Sequence, residues 1–137
     1  MNPRQVAEQC MNLSFFQLQD FAGKNYNKVY EYIEARDPGQ ANKLLIPTIF
    51  TCIASNGRLS DREWDFIKQF IGGYTYDEAL DTAGEFYHED AQNIVRELVA
   101  CFPMDIKEAY LSLCIAVLAV DERFDGAEVD FLNSLLG

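Results

Sequence analysis

Five oxygen-bearing side chains, Asn56, Glu63, Asp121, Asp125 and Glu128, fall in two short polar loops, and a hard divalent cation is the species such a set would hold. Calcium and magnesium take several oxygen ligands, and carboxylates on a tight loop provide them at the cost of repelling one another when no cation is bound. The loops read Ala54-Ser55-Asn56-Gly57-Arg58-Leu59-Ser60-Asp61-Arg62-Glu63 and Ala119-Val120-Asp121-Glu122-Arg123-Phe124-Asp125-Gly126-Ala127-Glu128. Neither is an EF-hand: Gly126 and Glu128 stand at the wrong intervals from Asp121 for that calcium loop. A second account needs no metal. Ser60 with Glu63 and Asp125 with Glu128 have the form of capping boxes, in which a short polar side chain accepts from a free backbone amide and the acid three residues on accepts in return; each cap stabilises its helix by about 0.5–2 kcal/mol. Asp121 is not explained this way. It follows the C-terminal end of a helix, where the macrodipole disfavours negative charge, so it requires an offset from a cation, a basic partner or Arg123. Arg58 and Arg123 read either as anion hooks or as ion-pair partners of these acids.

The two loops correspond because the chain repeats itself. Tyr26–Gly72 laid over Ala91–Gly137 at an offset of 65 residues gives eight identities, among them Pro38/Pro103, Arg58/Arg123, Glu63/Glu128, Asp65/Asp130 and Phe66/Phe131. The apolar positions keep register as well, as in Val29/Ile94, Ile33/Leu98, Ile46/Leu111 and Ile53/Leu118. The expected architecture is all-α: a single domain, 1–137, formed as a helical bundle of two four-helix repeats, 1–72 and 73–137, related by a pseudo-twofold axis.

Apolar residues recur at three and four, and alternating runs of Val, Ile and Thr are missing, so helices are predicted throughout. The first repeat is expected to hold Pro3–Phe21 interrupted near Ser14, Tyr26–Arg36, Ala41–Ser55 and Asp61–Ile71. The second is expected to hold Tyr76–Tyr87, Ala91–Phe102, Ile106–Val120 and Gly126–Leu136. Capping boxes are also predicted at Thr75 with Glu78 and at Asp105 with Glu108. Pro38, Gly57, Gly72-Gly73 and Pro103 mark stops, and Pro47 should kink its helix or delay its start. The third helix of each repeat is apolar on nearly every face and belongs at the centre, the two packed against each other. If they cross near their C-terminal ends, the two polar loops approach one another.

An apolar helix, then Ala-x-Asp-Gly-basic-apolar-Ser/Asp-x-x-Glu, then an amphipathic helix, present twice over Leu44–Gly72 and Ala109–Gly137, resembles the tellurite-resistance TerB family, a relative of which stands at the front of membrane-attached DnaJ-like co-chaperones. The resemblance implies a duplicated helical domain without established enzymatic activity, linked to stress and metal-oxyanion resistance, whose acidic loops are suspected of binding divalent metal. Carried over by position, it points to Asn56, Gly57 and Glu63 in the first copy and to Asp121 and Glu128 in the second. Asn56 stands where the family usually has Asp, and Glu122 where it usually has Gly, so any metal binding should lean on the second copy.

Composition narrows the classes. With 22 acidic and 11 basic residues the net charge is −11, which repels phosphate backbones and anionic membranes and favours cations or basic proteins; nucleic acid is excluded as an expected partner. No apolar run reaches the length a bilayer requires, so no direct membrane insertion is expected, and the first residues lack the apolar stretch of a secretory leader. Cys10, Cys52, Cys101 and Cys114 are widely spaced among apolar neighbours and read as reduced thiols, which places the chain in the cytoplasm. No catalytic constellation is present, and the chain is read as non-enzymatic. The lone His88 lacks companions for a metal site and reads as a surface or capping residue. Phe15, Phe16, Phe21, Tyr26, Tyr30 and Tyr32 crowd the N-terminal third more densely than one helical face can bury. Their default is core packing against Tyr76, Phe86 and Tyr87, the alternative a contact for a partner protein or for self-association.

The expected role is therefore a non-enzymatic acidic binding module of a stress or metal-related response, with weak calcium or magnesium binding at the paired loops. A metal-free adaptor, monomer or homodimer, that works through the N-terminal aromatics is the other reading.

Overall fold

The computed structural model describes residues 2–41, Leu45, Ile49, 60–70, 75–85 and 89–120. Six helices are set out along them: α1 (Pro3–Met11), α2 (Phe15–Arg36), α3 (Asp61–Ile67), α4 (Tyr76–Glu85), α5 (Glu89–Ala100) and α6 (Met104–Ala119). Ala41, Leu45 and Ile49 are also helical, and all three are buried. There is no strand among the described residues, and the chain is all-α there, as its periodicity requires. None of the described helices is long and apolar enough to cross a membrane.

Helix α6 is the hub. Every residue from Ala109 to Ala119 is buried, because its apolar side chains lie on all faces and each face needs a neighbour. It packs against α1, α2 and α3. Helix α2 supplies the stripe Leu18, Ala22, Tyr26, Val29 and Ile33, spaced at three and four and buried throughout.

Helix starts follow local chemistry. The Asn2 side chain accepts from the Arg4 amide at α1. At α2, the Ser14 hydroxyl accepts from the Gln17 amide at 3.2 Å, and the Gln17 side chain accepts from the Ser14 amide at 2.9 Å. The Thr75–Glu78 box has both its bonds, each 3.2 Å.

Two expectations are corrected. The Pro3–Phe21 segment breaks at Asn12–Ser14 as read, but no second break separates it from Tyr26–Arg36: α2 runs unbroken for 22 residues. Gly23 does not stop the helix, because the buried stripe passes on either side of it, through Ala22 and Tyr26, without a gap. At α6, Asp105 does not cap. Pro103 occupies the N-cap with no side-chain bond, and Asp105 sits inside the first turn, where a carboxylate favours the helix dipole; its Oδ2 lies 3.9 Å from Lys28 Nζ on α2.

At the other end of α2, Asp37 closes the helix and Gly39 takes φ = 82°, a left-handed backbone that glycine adopts without strain. Glu34 reaches across this turn: its two carboxylate oxygens accept from the Gly39 and Ala41 amides, both at 3.0 Å. These bonds, that from Gly39 foremost, hold the Glu34 carboxyl below its ordinary range. Pro47, His88 and the expected helix Gly126–Leu136 lie outside the described residues.

Candidate functional site

Of the five loop residues singled out from the sequence, Glu63 alone is described; Asn56, Asp121, Asp125 and Glu128, with Arg58 and Arg123, lie outside. Glu63 is fully buried, at 0% exposure. Its Oε1 accepts from the Ser60 amide at 3.0 Å while its own amide donates to the Ser60 hydroxyl at 3.1 Å. The capping box read from Ser60-Asp61-Arg62-Glu63 is thus formed, and it supplies a structural reason for an acid at this position. Among the described residues, no three His, Cys, Asp or Glu side chains gather where one ion could touch them.

Next to this cap, α3 is tied to α4. Trp64 meets Tyr76 edge to face with centroids 6.2 Å apart, and a hydrogen bond to the Asp61 side chain raises the Tyr76 hydroxyl above its ordinary pKa. Tyr76 therefore belongs to the α3–α4 contact.

The aromatics of α2 divide in a way the sequence did not specify. Tyr26 is buried and stacks on Phe70 at 5.8 Å, and Tyr30 stacks on Tyr26 at 6.1 Å. Burial, with Tyr30 beside it, raises the Tyr26 hydroxyl above its usual pKa. Tyr32 meets Phe102 edge-on at 5.7 Å. Phe15 meets the buried Phe66 at 5.7 Å, and Phe66 meets Phe70 at 5.8 Å. Phe16 touches the Phe15 ring edge at 6.0 Å and is otherwise 80% exposed.

Phe16 is one of four exposed large apolar residues where α1 turns into α2. Met11, Leu13 and Phe15 are 48%, 36% and 38% exposed beside it. Phe16 stands two residues before Leu18, off the buried stripe, and Asp20, one turn further on, is exposed as it is. Rings in contact run from Phe16 through Phe15, Phe66, Phe70 and Tyr26 to Tyr30, and Phe15 ties the corner to the core. A cleft of about 80 Å³ lies beneath it, walled by Met11, Leu13, Phe15 and Arg62 and floored by Ala119 and Val120 at the end of α6. The corner and the end of α6, the residues just before Asp121, thus share one cleft.

A second cleft, of about 170 Å³, separates the ends of α2 and α5, with Tyr32, Arg36, Leu98, Cys101 and Phe102 in its walls. The Arg36 guanidinium lies 4.7 Å over the Tyr32 ring, and the exposed Cys101 thiol donates to the Glu97 carbonyl at 3.3 Å. Cys10 and Cys114 are buried free thiols, and burial pushes the Cys10 thiol up to about 11.

Of the corner residues, Phe15 and Phe16 were legible as an aromatic surplus. Met11 and Leu13 were missed; two apolar side chains flanking a helix break were the available signal. No protein-family model, curated protein or solved structure matches this chain. The TerB resemblance accordingly stands on the loop pattern alone.

Proposed function

We propose that this chain is a non-enzymatic protein-interaction module whose working surface is the α1–α2 corner. The observation that carries this reading is the exposure of four large apolar side chains, Met11, Leu13, Phe15 and Phe16, within six residues. Large apolar side chains grouped at the surface and backed by packed rings are the usual anatomy of an interface anchor. The test uses the purified chain with Phe16→Ser beside a variant neutralised at the loop acids, Asp121→Asn with Glu128→Gln. A protein captured by the parent is purified and titrated back; binding lost with Phe16→Ser and kept with the loop variant supports the corner, and the opposite pattern overturns it.

The acidic loops carry a second reading, weak calcium or magnesium binding at Asp121, Asp125 and Glu128 with Asn56 and Glu63 from the other copy, in a stress or metal-related role. What favours it is the end of α6 at Ala119 with Val120 as its cap, so that Asp121 follows directly on a helix C-terminus. Calorimetric titration with each cation, against Asp121→Ala with Glu128→Ala, tests it; absence of metal-dependent heat overturns it.

Both readings sit on a duplicated single domain, with halves 1–72 and 73–137 about a pseudo-twofold axis. Its support is burial in register: Ala41, Leu45 and Ile49 are buried, and so are their counterparts Ile106, Tyr110 and Cys114. We assign the protein to the cytoplasm on the free thiols of Cys10, Cys101 and Cys114.

A further inference from the structure

Two helix ends that face one another in this structure occupy the same place in the two sequence repeats. The cleft of about 170 Å³ between α2 and α5 has Ile33, Arg36 and Asp37 on one side and Leu98, Cys101 and Phe102 on the other. At the offset of 65 residues these are three pairs of partners: Ile33 with Leu98, Arg36 with Cys101 and Asp37 with Phe102. Tyr32 completes the lining, and its partner Glu97 supplies the carbonyl that accepts from the Cys101 thiol. The offset comes from the sequence alone, and none of the eight identities that set it lines the cleft.

We infer that the pseudo-twofold axis relating the two halves passes through this cleft, which makes the α2–α5 face the joint where two copies of one ancestral unit met; this rests on reading the chain as a duplication. A residue and its image under a rotation lie close together only near the axis. Copies stacked by translation, as in a solenoid, keep every residue a full repeat away from its image, so equivalent walls do not face one another. A closed twofold contact has the opposite property: both units use the same patch, and residue i meets j where j meets i. The helix ends agree with this register, α2 closing at Arg36 and α5 at Ala100, one residue before the image of Arg36. Across the joint Tyr32 meets Phe102 edge-on at 5.7 Å, and the Arg36 guanidinium lies 4.7 Å over Tyr32. Equivalent positions now differ in chemistry, with a guanidinium and a carboxylate on the α2 side and a thiol and a ring on the α5 side. Fusion into one chain permits that, because each side of the joint then changes alone.

Distances between spin labels on the full chain test the inference. Only a rotation that is its own inverse makes the separation from i to the image of j equal that from j to the image of i. Lys28, Arg36, Asn93 and Cys101 are all exposed, and the first two are the partners of the last two. In a Cys52→Ser background, Lys28→Cys labelled together with native Cys101 is compared with Arg36→Cys labelled together with Asn93→Cys, with Cys101→Ser added to the second pair. Buried Cys10 and Cys114 stay in place, mass spectrometry counts the labels, and circular dichroism melts establish that the variants fold. The two separations are expected to coincide. A short bismaleimide is expected to join Arg36→Cys to Cys101 within one chain, and to leave Lys24→Cys, about three turns back along α2, unjoined. Unequal separations overturn both the axis and the duplication. Equal separations without the cross-link at Arg36→Cys keep the duplication and overturn the place of the axis. Should Cys52→Ser not fold, a crystal structure of the full chain reads the same relation: a half-turn about the cleft that lays 26–72 over 91–137 supports the inference, and any other operation overturns it.

Discussion

Phe15 meets Phe66 edge-on, with centroids 5.7 Å apart and ring planes at 80°, so the first residue of α2, at the surface, rests on a fully buried residue of α3. Phe16, one position along, has only Phe15 for a ring neighbour among the described residues. The two adjacent phenylalanines therefore do different work, one fastening the corner to the core and the other presenting it.

That division has a measurable consequence for stability. Phe66→Ala should cost about 3–5 kcal/mol, as loss of a buried ring does. Phe16→Ser should stay within about 0.5 kcal/mol of the parent, because its side chain is largely in water already. Urea denaturation of both, with the slope compared, checks the pair.

Gly23→Ala should stabilise. The site is in the middle of a helix, and the added methyl reaches ordinary contact with Phe70 at 3.4 Å. A gain of about 0.5–1 kcal/mol is expected from the lower conformational entropy of the unfolded chain. A loss instead would show that Phe70 cannot give way.

Glu34 predicts the acid limb of the stability curve. Its folded pKa is lowered by the amides of Gly39 and Ala41, so the unfolded chain takes up a proton at higher pH than the folded one. The contribution is present above the ordinary carboxyl value of 4.5 and is lost as pH falls through the lowered folded value. Glu34→Gln should therefore melt below the parent at pH 6, with the gap closing as pH approaches 3. A gap independent of pH would mean that the turn does not depend on the ionised carboxylate.

Thiol labelling should discriminate among the cysteines. At pH 8 and without denaturant, Cys101 should react before Cys10 and Cys114. Cys10, whose thiol burial pushes up to about 11, and buried Cys114 should react only as fast as the fold opens. Peptide mapping by mass spectrometry after timed quenching reads this directly, and equal rates at Cys10 and Cys101 would contradict the burial of α1 against α6.

The capping boxes at Ser60 and Thr75 were legible because donor and acceptor are three residues apart and need no other part of the chain. The same reasoning misplaced Asp105. A proline two positions earlier fixes the backbone so that the helix begins at Met104, and the acid then contributes through the dipole. Of the candidate loop acids, Glu63 emerged as a buried cap. The repeat-based pairing of the loops rests on residues beyond those described.

The sequence by itself determined the helical class, most of the helix starts and the central place of α6, since all three follow from spacing and from short-range bonds between near neighbours. Tertiary packing alone decided that α2 would run on from Phe21 to Tyr26 and which aromatic rings would meet water. The first depended on α6 arriving from a distant segment to bury Ala22 and Tyr26 alike, and the second on Phe66 meeting Phe15 and not Phe16. Burial is a property of which surfaces meet, and residues far apart in the chain meet only in the folded molecule.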